Sequence, residues 1–184
     1  MFDAADPEAL RRELANAAEE AWGLADALSE QRHRGALALA DAVEAELRQL
    51  GMPDARFSVE FDDLVPPHGG VAATALVRGG GGLGPDGRES VEVPLAANPG
   101  EGARPLARVA SGGELSRLML ALRHVAGGAS VPTLVFDEVD AGIGGAAAET
   151  VGRRLQALGR KHQIVCITHL AQIAVSRDGA AALL

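Results

Sequence analysis

Apolar positions in the first fifty residues follow a helical period. Leu10, Leu14, Ala17, Ala21, Leu24 and Leu28 recur with alternating steps of four and three, the spacing of a heptad seam. Asp6-Pro7-Glu8 ahead of them reads as a helix start, a capping residue followed by Pro at an early helical position. The seam fails at Gln31 and Gly35. A second run, Ala36, Leu39, Val43, Leu47 and Leu50, then closes at Gly51 and Pro53. The pattern predicts helix over 8–50, either as a coiled-coil segment or as an amphipathic helical hairpin.

After Pro53 the period drops to two. Phe57, Val59 and Phe61 alternate with Ser58 and Glu60 as in a half-buried strand, and Val71 to Val77 and Val91 to Leu95 are further strand candidates. The glycine run from Gly79 to Gly87 lies between the last two. No Lys-Ser or Lys-Thr follows it, so it reads as a hairpin connection and not as a phosphate loop. From residue 105 onward helix and strand alternate: helix 112–126, strand 132–137, helix 145–160, strand 163–168 and a short helix from about Leu170. Strands spaced by helices predict βαβ units and a parallel sheet. Ligands of such sheets sit beyond the carboxyl ends of the strands, where Asp137, Glu138, Thr168 and His169 fall.

Composition narrows the classes. Of the 184 residues 47% are hydrophobic and only 3% aromatic, so the core is aliphatic. The net charge of −8, with Lys161 the only lysine, argues against the chain alone being a general DNA clamp. Cys166 is the single cysteine, which excludes an internal disulfide and a cysteine-based zinc set, and its apolar surroundings make it a buried thiol. The acidic start lacks the layout of a signal peptide, and no stretch reaches the roughly 18 apolar residues of a membrane span. A soluble, cytosolic chain is expected.

Two segments carry chemistry. Asp137 and Glu138 follow an apolar strand, which would hold one carboxylate for Mg²⁺ and the next for orienting and deprotonating water. Ser111-Gly112-Gly113-Glu114 has the form of a capping box, which accounts for Ser111 and Glu114 but not for the glycines. Gly112 and Gly113 would expose backbone N–H groups at a helix start, a site for phosphate. His169 follows the next strand, on the same predicted sheet edge as the carboxylates.

The order of these parts resembles a known family. Val109 to Arg117, then Thr133 to Asp140, then Thr168-His169-Leu170 is similar to the ABC-type ATPases of the SMC class. Asn98-Pro99-Gly100-Glu101 and the run from Asp137 to Gly145 resemble a bacterial DNA repair branch of that class. The match is dense over 98–175 and looser over 1–97.

The resemblance implies an α/β fold: the C-terminal lobe of a P-loop (ABC/SMC-type) ATPase head with a parallel sheet over 53–184, preceded by a helical coiled-coil arm segment over 1–52. It implies that Ser111, Gly112, Gly113 and Glu114 form the signature that meets the γ-phosphate of ATP on an opposite head. By the same resemblance Asp137 is the Mg²⁺-associated Walker B aspartate, Glu138 the catalytic glutamate and His169 the γ-phosphate switch. The implied cofactors are ATP and Mg²⁺. The implied partners are an N-terminal Walker A-bearing lobe, a second head in a homodimer across ATP, and DNA through the full assembly. The implied setting is cytoplasmic and nucleoid-associated, with DNA double-strand break repair as the task.

The sequence departs from the family pattern in three places. No G-x-x-x-x-G-K-[ST] occurs in the 184 residues, so the chain alone is not expected to bind ATP tightly. Gly144 stands where many members have Asp. The family continues through further strands, so the ending at Gly179 to Leu184 reads as a truncation or an altered frame. A non-catalytic assembly module is therefore the alternative. A transporter nucleotide-binding domain is a third reading, opposed by the helical arm and by Asp-Glu-Val-Asp in place of Asp-Glu-Pro.

Overall fold

A computed structural model describes residues 6–66, 74–106, 111–127 and 131–175. Part of the expected strand at 71–77, Val109 and Ala110 of the signature run, and the ending at 179–184 lie outside them. The chain divides into two compact units, Met1–Ala36 with Glu60–Glu92, and Leu37–Val59 with Val93–Leu184.

Helix α1 (Pro7–Gln49) runs without interruption, so of the two expected alternatives the helical hairpin does not form. Gly35 does not break it: a methyl group built there would meet nothing within 4 Å. At such an exposed site Gly costs only about 1 kcal/mol relative to Ala, too little to stop a helix already propagating. Gly51, at φ 83°, takes the left-handed turn after the helix, and Met52 N–H closes back on the Leu47 carbonyl at 2.9 Å.

In the first unit, α1 buries Ala18, Trp22, Ala25 and Ser29, while Leu10, Leu28 and the 67% exposed Leu24 face outward. The heptad seam is thus not the stripe this unit packs. Against the buried stripe stands an antiparallel pair, β2 (Glu60–Asp63) with β5 (Glu89–Glu92). A second antiparallel pair, β3 (Val77–Arg78) and β4 (Gly81–Gly82), turns at Gly79 and Gly80. Both glycines have positive φ, as a two-residue hairpin turn requires. The glycine run therefore holds a tight hairpin of its own and does not pair the strand candidates on either side of it, since β5 pairs with β2. Trp22 Nε1 donates to the Ala75 carbonyl at 3.3 Å, and the Arg78 guanidinium lies 5.1 Å over its ring.

A buried polar group ties this unit together. Glu89 Oε1 accepts from Ser29 Oγ at 2.9 Å and meets His33 Nε2 at 3.0 Å, and the His33 ring stacks on Phe61. Burial alone would raise the Glu89 carboxyl, but the bonds from His33 and Ser29 and the charges of His33 and Arg88 outweigh it, so it lies below its ordinary 4.5. A depressed carboxylate stabilises the fold above its unfolded value and loses that contribution as pH falls through its folded value. Acidification below about pH 4.5 is therefore expected to loosen this unit. Trp22 is the sole tryptophan, so its fluorescence reads the loss directly. Glu89→Gln should flatten the acid limb of that titration, and superimposable curves would remove Glu89 from the account.

The second unit holds a continuous aliphatic core including Val43, Leu47, Leu50, Phe57, Leu95, Leu118, Leu120, Phe136 and Val151. Strand β1 (Arg56–Phe57) pairs antiparallel with β6 (Pro94–Ala96), which also pairs with β7 (Arg104–Pro105). The alternation from Phe57 to Phe61 is thus not one strand: β1 and β2 belong to different sheets and to different units.

Helix α2 (Gly112–Ala126), strand β8 (Thr133–Phe136), helix α3 (Gly145–Gly159), strand β9 (Gln163–Cys166) and helix α4 (Ala171–Val175) follow in the predicted order. Strands β8 and β9 pair in parallel, Thr133 opposite Gln163 and Phe136 opposite Cys166, so their carboxyl ends are flush. Helix α3 packs on α2, α4 and β9. Arg154 of α3 forks onto Glu46 of α1 with bonds of 2.8 and 3.0 Å, a bidentate geometry that fixes orientation as well as distance. One face of the β8–β9 pair packs Leu134, Phe136, Ile164 and Cys166 into the core. The other leaves Val135 67% and Ile167 51% exposed.

Candidate functional site

The loop after β8 begins with both carboxylates exposed. Asp137 follows the strand, and Glu138 turns the chain at φ 54°, the one positive φ among described non-glycine residues. Ala141 N–H closes on the Glu138 carbonyl at 2.9 Å. Helix α2 holds this loop by its backbone: Ser116 Oγ donates to the Asp137 carbonyl at 2.6 Å, and Arg117 donates to the Val139 and Ala141 carbonyls at 3.3 and 2.7 Å. Burial lowers the Arg117 guanidinium from its ordinary value, with the charge of Glu114 opposing. Its Nε is buried without a partner among the described residues.

At the start of α2, Ser111 accepts from the Glu114 N–H at 3.4 Å, one half of the expected capping box. The Glu114 carboxylate turns to Asn98, whose Nδ2 donates to it at 3.4 Å and to Glu101 at 3.3 Å. This links the signature helix to the Asn98-Pro99-Gly100-Glu101 segment. A cavity of about 360 Å³ lies against Ser111, Glu114, Arg117, Asn98 and Asp54, and none of Asp137, Glu138 and His169 lines it.

The glycines have a packing role that the sequence did not suggest. A methyl group on Gly112 would come to 2.8 Å from Glu138 Oε2. One on Gly113 would come to 2.8 Å from both the Glu138 carbonyl and the Ala141 methyl. The two motifs are thus brought into contact, and at Gly113, where the close atom is backbone, a side chain would not permit the approach.

At the flush strand ends the structure adds a residue outside the candidate set. Asp140, 2% exposed, accepts on Oδ2 from Thr168 Oγ at 2.5 Å and from the His169 backbone N–H at 2.9 Å, with His169 Nδ1 at 3.1 Å. Burial alone would raise its carboxyl, but these hydrogen bonds and the His169 charge outweigh it and hold it below the ordinary carboxylate value. The His169 side chain is 74% exposed. No hydrogen bond or ion pair joins it to Asp137 or Glu138 among the described residues. A third acid after an apolar strand gives no periodic signal, so only the Asp-Glu-Val-Asp spelling could have marked Asp140. Cys166, half-buried at the end of β9, has its thiol pushed up to about 11 by burial and then by the charges of Asp140 and Asp137, which fits an inert thiol.

No family model matches the chain. Curated relatives do. The DNA repair protein RecN of Streptomyces coelicolor is 48% identical over 175 residues, 95% of this chain and 29% of that protein. RecN of Treponema pallidum is 44% identical over 94% of this chain and 29% of its own length. The chain therefore spans under a third of the relatives it matches. Among solved structures, the Smc head domain with an extended coiled coil from Pyrococcus furiosus, bound to the C-terminal domain of ScpA, is similar at 16% identity and TM-score 0.43. That likeness covers 77% of this chain and 30% of the other. An SmcHead bound to the C-winged helix domain of ScpA is similar at 17% identity and TM-score 0.45, over 89% and 44%. Over nearly its whole length the chain is thus similar to part of the RecN DNA repair proteins, consistent with their C-terminal part.

Proposed function

We propose that the chain is the C-terminal lobe of a RecN-type ATPase head, and that the completed head hydrolyses ATP in the service of DNA double-strand break repair. The observation that carries the reading is the open face of the β8–β9 pair, with Val135 and Ile167 exposed at the base of the candidate site. Parallel strands are normally covered on both faces, so this face calls for a second lobe. The proposed occupant is the lobe bearing the phosphate loop.

The residues present fit ATP and Mg²⁺. Among the described residues no three His, Cys, Asp or Glu gather into a metal cage. Mg²⁺ is usually held by one or two carboxylates with phosphate oxygens and water, which is the donor set that Asp137 offers. When bound, the ion neutralises charge on the phosphates being separated. Asp137 would hold it, and Glu138 beside it would orient water and take its proton. Ser111 with the backbone of Gly112 and Gly113 would receive the γ-phosphate from an opposite head, and the exposed His169 ring would meet it from the same head. DNA would be engaged by the whole assembly, in the cytoplasm; no described helix is long and apolar enough to cross a membrane.

The lack of a phosphate-loop motif in the 184 residues favours a second reading for the chain by itself, a non-catalytic assembly lobe. One experiment separates the two. The chain alone should bind little ATP by equilibrium dialysis, and its complex with the Walker A-bearing lobe should release phosphate from ATP. A stable complex without turnover would overturn the ATPase reading.

A further inference from the structure

We infer that Arg117 is the positioning residue of Glu138: through the backbone of the loop after β8 it holds the left-handed turn that aims this carboxylate. The inference rests on the ATPase reading for its consequence in turnover, and on geometry alone for the turn.

Every carbonyl from Asp137 to Ala141 has a donor. The Glu138 and Asp140 carbonyls close within the loop, onto the N–H groups of Ala141 at 2.9 Å and Ile143 at 3.3 Å. The other three are taken by side chains of α2. Ser116 Oγ bonds the Asp137 carbonyl, before the turn. Arg117 Nη1 bonds the two after it, Val139 at 3.3 Å and Ala141 at 2.7 Å, and this nitrogen has two hydrogens to give. A glutamate at φ 54° is strained and stays there only where its surroundings hold it. Among the described residues no hydrogen bond holds the Glu138 side chain, so its direction is set by this backbone.

Packing does not account for an arginine here. Arg117 is 6% exposed, pairs with no carboxylate among the described residues, and leaves Nε buried without a partner. Buried cations are ordinarily paired, and an apolar side chain of similar volume is often the more stable filling. What the guanidinium adds is a rigid, planar donor spent on the loop that carries Glu138. The helix that opens with Ser111, Gly112 and Gly113 therefore holds the Glu138 turn as part of itself.

NMR of the full chain tests this, because a positive φ brings a residue's own amide and α protons close and gives a strong signal between them. Glu138 is expected to show it. Arg117→Met, which keeps an unbranched apolar stem and removes the donors, should weaken it, and Ser116→Ala should retain it. In the complex with the Walker A-bearing lobe, Arg117→Met should lower kcat about 10²-fold, the usual effect of misplacing a working group by about 1 Å, with KM for ATP little changed. A wild-type Glu138 without the signal would overturn the inference, as would a folded Arg117→Met chain that keeps it. Equal loss in Ser116→Ala would overturn the assignment to Arg117. Should Arg117→Met not fold, couplings across the hydrogen bonds from the wild-type guanidinium to the Val139 and Ala141 carbonyls decide: their presence supports the inference and their absence overturns it. Full kcat in a folded Arg117→Met complex would overturn the link to turnover. A wild-type complex that releases no phosphate would overturn the ATPase reading and leave the turn standing.

Discussion

Glu138→Gln is expected to cut ATP turnover by about 10²- to 10⁴-fold in the completed head, the range that a positioned general base supplies. Nucleotide affinity should hold. The substitution keeps the size of the side chain and its ability to accept a hydrogen bond, and it removes only the capacity to take up a proton. The backbone should not object, because Glu and Gln differ little in tolerating the φ of 54° at this position. Single-turnover phosphate release measured beside ATP binding is the decisive pair. Equal release by mutant and wild type would sink the assignment of the base. Loss of binding as well would mean that Glu138 holds the nucleotide or its ion and does not activate water.

Gly113→Ala is expected to destabilise the second unit by about 1–3 kcal/mol, the usual range for overpacking a filled site. Helix propensity predicts the opposite sign, since Ala is favoured over Gly by about 1 kcal/mol within a helix. Contact decides it. The new methyl would lie 2.8 Å from the Glu138 carbonyl and from the Ala141 methyl, and this loop backbone is already held by Arg117. Gly112→Ala is the instructive neighbour. Its methyl would meet only the end of the Glu138 side chain, which can swing away. That variant should lose little stability and instead displace the carboxylate, so its defect should appear in turnover. Urea unfolding at constant slope measures the first effect; a Gly113→Ala chain as stable as wild type would show that the loop yields.

Much of the second unit was legible in the sequence. Helix α2 occupies the predicted residues 112–126, because its apolar period, the Ser111 cap and the glycine after it agree. The parallel order of β8 and β9 followed from the helix between them. Legibility failed where polar contacts or changes of sheet decide the structure. Continuation of α1 past Gln31 is supported by Ser29 and His33 bonding Glu89, partners sixty and fifty-six residues away that no periodicity can register. The strand from Phe57 to Phe61 divides because its two halves have different partners, Leu95 and Val91. Candidate residues Asp137, Glu138 and His169 were found by their places at strand ends. Asp140 is visible only when its buried oxygen is seen accepting from Thr168 and from the His169 backbone.

The left-handed turn at Glu138 has a consequence for what sequence this site tolerates over evolutionary time. A non-glycine residue held there carries on the order of 1–3 kcal/mol of backbone strain, and Gly or Asn would shed much of it. A lineage selected for thermal endurance alone would drift to one of those at position 138 and gain robustness while discarding the acid. If Glu138 has the role proposed for it, keeping glutamate there sets chemical competence against durability at a single residue. An unusually heat-resistant homologue with Gly or Asn at 138 would mark a protein that had stopped using this carboxylate.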